Sequence, residues 1–327
     1  MKKAIVLGAT GGTGSAIVRE LINRGIPTIA FGRSSEKLLK LKESYGNPEY
    51  LTLQTGDVFQ VEDVYKAASE ADVIFQCAAV PYNKMEEQQL PLGEAVLKAA
   101  NRLGAKVVFV DGIYPYGHAK TQYVNEDHPK NPHTKKGKIK LEFEKLIFHS
   151  RWNQSKHLIV RLPDYYGPTA NKSSYLGMTM EAIAEGKTAM FIGNMTIPRE
   201  YVYLPDAADM IVELASLDEA YGQNWNIPGS GVISGRELVQ LAQKARGISK
   251  PVIPLRKASL TFIGMFDPII REIVEMLYLT EEPVVLDGSK YERLVGPIPA
   301  TPYEKGIEDT IQALVERNKQ TTIDQHT

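Results

Sequence analysis

The chain of 327 residues contains one cysteine, Cys77, so no disulfide can close within it. A lone thiol fits a reducing compartment. A surplus of one charge sign is also missing. Thirty-eight Lys and Arg oppose 39 Asp and Glu, leaving a formal net charge of −1. No global field therefore draws the protein to nucleic acid or to an anionic membrane. Long apolar runs are absent: the stretch around Leu260 to Met265 is too short for a bilayer, and Asp267-Pro268 follows it. The apolar segment after Met1-Lys2-Lys3 is too short for a signal-peptide core and ends in glycines. His118, His128 and His133 are dispersed over a loop with several prolines and lack metal-ligand spacing, so no metal is assigned. No fixed-period repeat occurs. These absences lead us to expect a cytoplasmic protein with no nucleic-acid or membrane partner.

What is present is a core, with 43% hydrophobic residues, and a rhythm. Ala4–Leu7, Pro27–Phe31, Tyr50–Gln54, Asp72–Gln76 and Lys106–Val110 read as short strands. Helical periodicity separates them at Ser15–Arg24, Glu36–Tyr45, Val61–Ala68 and Leu92–Leu103. This predicts an α/β fold with a doubly wound parallel sheet, its ligand at the strand C-termini. Leu158–Leu162 adds a strand. The second half is less regular. It has helices at Met178–Glu185, Asp206–Ser216 (Asp206 as N-cap) and Ser234–Ala245, the last with a Ser234/Glu237 capping box. Lys257–Leu279 is a long, rather apolar segment. We expect a Rossmann-type core over 1–165, completed by a later strand or helix. A smaller C-terminal substrate lobe would follow over 166–317, and a polar tail over 318–327 that frays.

The most informative stretch joins the first strand to the first helix. Gly8-Ala9-Thr10-Gly11-Gly12-Thr13-Gly14 carries glycines at Gly8-x-x-Gly11-x-x-Gly14. Gly8 suits a tight exit from the strand. Gly11 lets backbone N–H groups approach a pyrophosphate, and Gly14 lets helix and strand pack closely. At the end of the second strand, an acidic residue would bind the adenosine 2′-hydroxyl and repel a 2′-phosphate. Arg33 stands there instead, beside Ser34. A guanidinium suits a phosphate dianion, so NADP(H) is the expected cofactor, with NAD(H) possible.

Several further motifs resemble the extended, or atypical, short-chain dehydrogenase/reductases of the NAD-dependent epimerase/dehydratase family. They are Gly56-Asp57-Val58, Cys77-Ala78-Ala79, Arg161-Leu162-Pro163-Asp164-Tyr165-Tyr166-Gly167-Pro168 and Arg199-Glu200-Tyr201-Val202-Tyr203. The resemblance covers most of the chain. It implies that Asp57 and Val58 lie on the adenine side, Cys77, Ala78 and Ala79 against the ribose, and Leu162 and Pro163 behind the nicotinamide. It also implies a serine after the fifth strand and Tyr-x-x-x-Lys on the following helix. Here Gly112 falls at the serine position, Lys136 at the tyrosine and Lys140 at the lysine.

Lys140 would then still hold ribose hydroxyls. Lys136, four residues away, shares its helix face, so mutual repulsion and burial would lower its pKa and let it exchange protons. The alternative for Lys135, Lys136 and Lys138 is a solvated basic stretch, with Gly137 weakening the helix. Tyr114 is the favoured replacement proton donor. Tyr82, Tyr116, Asp164, Tyr165 and Arg199 are candidate substrate contacts. The expected function is an oxidoreductase or epimerase-like enzyme on a small carbonyl or sugar-type substrate. The alternative is an inactive NADP(H)-binding redox sensor. A homodimer through Leu92–Leu103 and Lys140–Ser150 is possible.

Overall fold

A computed structural model describes residues 1–172, 174–266 and 268–324, without the side chains of 268, 269 and 320–324. In chain order the strands are β1 (Ala4–Leu7), β2 (Thr28–Gly32), β3 (Leu51–Thr55), β4 (Val73–Gln76), β5 (Lys106–Gly112) and β6 (Lys156–Leu162). β7 (Asp164–Tyr166), β8 (Ala189–Ile192), β9 (Pro198–Tyr203), β10 (Asn224–Asn226), β11 (Val232–Ser234) and β12 (Val252–Leu255) follow. The principal sheet has the order β10-β6-β5-β4-β1-β2-β3 and is parallel throughout. Ala4–Leu7 and Val73–Gln76 are buried at every residue, as a sheet covered on both faces requires.

The helices are α1 (Gly12–Asn23), α2 (Ser35–Ser44), α3 (Val61–Ala68), α4 (Met85–Leu103), α5 (Lys135–Ile147), α6 (Tyr175–Ala184) and α7 (Leu204–Ser216). α8 (Gly235–Arg246), α9 (Lys257–Gly264), α10 (Pro268–Val274), α11 (Tyr278–Glu281), α12 (Ser289–Leu294) and α13 (Tyr303–Asp324) complete them. One face of the sheet is covered by α1 and α7, through Ile17, Leu21, Ile211 and Val212. The other is covered by α3, α4 and α5, through Val64, Leu92, Val96, Phe143 and Ile147. The remaining strands form two small sheets, β11-β9-β7 and β12-β8. They pack with α6, α8 and α13 around Leu176, Phe191, Tyr201 and Leu238.

The strand order runs outward in both directions from the β1–β4 pair. Ligands of such sheets bind at the strand C-termini beside that switch point. Three local expectations meet different outcomes. The Ser234/Glu237 capping box is present. Asp206 does not cap α7: the helix starts at Leu204 with Pro205 in its first turn, and Asp206 instead accepts from Thr301 N and Oγ1, both at 2.7 Å. The segment Lys257–Leu279 divides into α9, α10 and the start of α11. The polar tail stays helical to Asp324, and residues 325–327 lie outside the described residues. No described helix is long and apolar enough to cross a membrane.

Candidate functional site

The glycine loop sits at the switch point, and its geometry explains two of its glycines. Gly8 has φ +77°, and a Cβ there would lie 2.7 Å from the Ala78 backbone. A Cβ at Gly14 would lie 2.3 Å from the Gly8 carbonyl oxygen. Gly11 caps α1 with no side-chain hydrogen bond, and the first turn of that helix holds no acidic residue. The N–H groups of Gly12, Thr13 and Gly14 therefore meet no side-chain cap, and the positive end of the helix is left for an anion. Thr10 lies in the turn that leads to them. The Tyr165 ring closes over the loop, 3.5 Å from where a Gly12 Cβ would stand. The cradle thus fits the diphosphate of a dinucleotide.

The flanking motifs converge on it. Cys77, Ala78 and Ala79 leave β4 beside Gly8, and Cys77 N donates to Leu7 O at 3.0 Å. Burial pushes the Cys77 thiol far above its ordinary range, so it stays protonated. Asp57 closes a turn by accepting from Phe59 N at 3.1 Å, and its own N–H donates to Asp63 at 2.9 Å. Val58 is buried under the sheet face. Arg33 is exposed after β2 and enters no ion pair among the described residues. Ser34 caps α2 by accepting from Lys37 N at 3.3 Å. Leu162 and Pro163 are buried at the end of β6.

The second half of the site lies at the ends of β5, β6 and β7. Tyr82 and Tyr114 share a hydrogen bond between their hydroxyls. Tyr175 stacks on Tyr82 with centroids 6.2 Å apart. Burial, first of all, holds the hydroxyl protons of Tyr82, Tyr114 and Tyr175 on at higher pH than usual. Lys140 Nζ lies 2.6 Å from Asp111, and Arg161 lies 3.1 Å from the same carboxylate. Arg161 is fully buried and also holds Glu144 at 2.5 Å. Asp111 would be pushed up by burial, but Lys140 and Arg161 more than offset this and hold it ionised. Arg199 pairs with Asp164 at 3.3 Å.

Lys136 departs from both expectations. It is not solvated, since its side chain is 2% exposed, and its pKa is not lowered. Burial opposes its charge, but Glu272 and Glu275 both bind Nζ, Glu275 at 2.8 Å, and the net direction is upward. The neighbouring Gly137 is required by space: a Cβ would lie 2.6 Å from Pro132 and 2.8 Å from Thr134 Oγ1. Thr134 in turn caps α5 by accepting from Gly137 N. Tyr116 is also corrected. It is fully buried and its hydroxyl donates to Asn226 at 2.7 Å, so it packs the core and does not face a substrate.

Asp111, Tyr175, Glu272 and Glu275 were not anticipated. A carboxylate ending the apolar strand Val107–Val110 was a usable signal for Asp111, because a buried charge demands a partner. The others depend on chain crossings with no local signature. His118 and His133 stack at 4.2 Å, and His118 contacts Glu282 at 2.7 Å. Among the described residues, no group of three or more His, Cys, Asp or Glu could hold a metal ion.

A parallel sheet with a glycine cradle and an uncapped helix at its switch point defines a Rossmann-type dinucleotide-binding protein. The chain belongs to the NAD dependent epimerase/dehydratase family, whose model matches residues 4–227. It is 24% identical over 331 residues to UDP-N-acetyl-alpha-D-glucosaminuronate decarboxylase of Bacillus cytotoxicus, covering 95% of this chain and 97% of the relative. It is 26% identical over 253 residues to UDP-glucose 4-epimerase of Mycolicibacterium smegmatis, covering 72% and 80%. Its fold is similar to UDP-glucuronic acid 4-epimerase from Bacillus cereus in complex with NAD, with a TM-score of 0.78 at 19% identity over 96% of this chain and 99% of that one. It is also similar to dTDP-glucose 4,6-dehydratase from Bacillus anthracis in complex with NAD, with a TM-score of 0.79 at 17% identity over 98% of each.

Proposed function

We propose that the chain binds NADP(H) and acts as an oxidoreductase on a small carbonyl or sugar-type substrate, in the reductive direction. The observation that carries this is the Tyr82–Tyr114 hydroxyl pair at the sheet edge beside Gly112. Bound NADPH would supply the hydride. Gly8, Gly11, Gly12, Thr13 and Gly14 would hold its diphosphate, and exposed Arg33 its 2′-phosphate. An ammonium has three donors. Lys140 spends one on Asp111 and keeps two for ribose hydroxyls. Tyr114 would give its proton to the substrate oxygen and regain one through Tyr82, already hydrogen-bonded to it, which takes a proton from solvent in turn. Both phenols stay protonated at neutral pH, so they donate and do not abstract. Lys136 is held as a cation by two carboxylates and takes no part in proton transfer.

The test is NADPH oxidation, followed by nicotinamide absorbance against a panel of carbonyls and sugar nucleotides. Tyr114→Phe should lower turnover by about 10²-fold or more while leaving NADPH affinity unchanged. Full activity in that variant would refute the proton-donor assignment. A second reading, a redox sensor without turnover, is favoured by one observation: Asp111 already neutralises Lys140. NADPH binding without oxidation by any panel member would select it.

A further inference from the structure

The cations beside the tyrosines share one property that the relatives' nucleotide-sugar names do not suggest. Each is already neutralised from within the chain. Lys136 is bound by Glu272 and Glu275, Lys140 by Asp111, and Arg199 by Asp164. Four carboxylates thus stand against three cations, and Asp111 is further shared with Arg161, which holds Glu144 besides. The Arg199 guanidinium is only 7% exposed and lies against the rings of Tyr201 and Phe191, at 5.1 and 5.7 Å. No net positive charge is left here for a diphosphate. An anion of two charges could reach donors these cations keep free, but it would meet a carboxylate beside each one, whose repulsion offsets the attraction.

The uncharged part of the same edge is aromatic. Tyr82, Tyr114 and Tyr175 are half-buried, and Tyr82 lies between the other two, with ring centroids 6.4 and 6.2 Å away. Such faces bind flat, apolar groups, while their hydroxyls offer donors to one polar atom. The contrast with the cofactor side is sharp: there Arg33 is exposed and in no ion pair among the described residues, and the N-terminus of α1 is uncapped by side chains.

We propose that the substrate is an uncharged aryl or conjugated carbonyl compound and that the site rejects nucleotide diphosphate sugars. This rests on the reductase reading for its chemistry. The carbonyl carbon gains a hydride from the reduced nicotinamide, forming a C–H bond as the C=O π pair moves onto oxygen. That oxygen takes the Tyr114 proton, giving an alcohol and the oxidised nicotinamide.

Calorimetric titration of the full chain loaded with NADP+, which has no hydride to transfer, with acetophenone and with UDP tests the substrate class. Acetophenone should bind at least about tenfold more tightly than UDP. Asp164→Asn should then free Arg199 and tighten UDP binding by about tenfold or more. Tight UDP binding to the unaltered chain, insensitive to Asp164→Asn, would overturn the proposal. So would equal affinity for the two probes. These titrations read binding alone, so failure to oxidise NADPH counts against the reductase reading and not against the charge argument.

Discussion

At position 112 the fold leaves room. A Cβ on Gly112 would meet nothing closer than Tyr114 Cε1, at 3.9 Å, and the backbone there is not in the left-handed region. Gly112→Ser should therefore fold with its stability changed by less than about 1 kcal/mol, as read by thermal denaturation. It would restore a hydroxyl beside Tyr114. Positions 8 and 14 are the opposite case, because each is closed by backbone atoms that cannot yield. In the proposed reading, cofactor choice turns on Arg33. Arg33→Asp should weaken NADPH by about tenfold or more and NADH far less, because only the former presents a phosphate to the guanidinium. Equal losses in fluorescence titrations would remove the assignment. Much at this scale could be read from the chain itself. The tight turn at Gly8 and the close approach at Gly14 followed from their spacing. The Lys136 environment could not be read, because its two carboxylates lie 136 and 139 residues away.

Helix α1 carries the cradle, and its approach to β1 is set by Gly14. Gly14→Ala must separate helix from loop, so NADPH affinity and melting temperature should fall together in the same preparation. Strand β6 carries a different sensitivity. His157 is buried against Ser155, at 2.6 Å, and burial lowers its pKa to about 4. The unfolded chain binds its proton more tightly than the fold does. Its stabilising contribution is therefore complete above about pH 6.5 and is lost as pH falls toward 4, by up to about 3 kcal/mol. Chemical denaturation at stepped pH should show this slope, and His157→Gln should flatten it. Element α10 carries one partner of the double clamp on Lys136, and Glu275 follows it. Glu272→Gln with Glu275→Gln leaves a buried ammonium unpaired and should cost about 2 kcal/mol. Strands such as β1 and β4 were legible because both faces are buried. The start of α7 was not, because Asp206 drew the boundary away from Pro205, the residue that marks the first turn.

At the scale of the whole molecule, the sheet is assembled from distant parts of the chain. β6 ends at Leu162, and its outer neighbour β10 begins at Asn224, after β7, β8, β9, α6 and α7 have been made. α7 also covers the same sheet face as α1. Synthesis proceeds from the N-terminus at a finite rate. Until residue 226 has left the ribosome, β6 must wait with an open edge, its peptide groups free to pair with another chain. The last strand of this sheet to be made is three residues long. Completion of the sheet therefore waits on the synthesis of residues 163–223, and the nascent chain exposes the β6 edge throughout that interval.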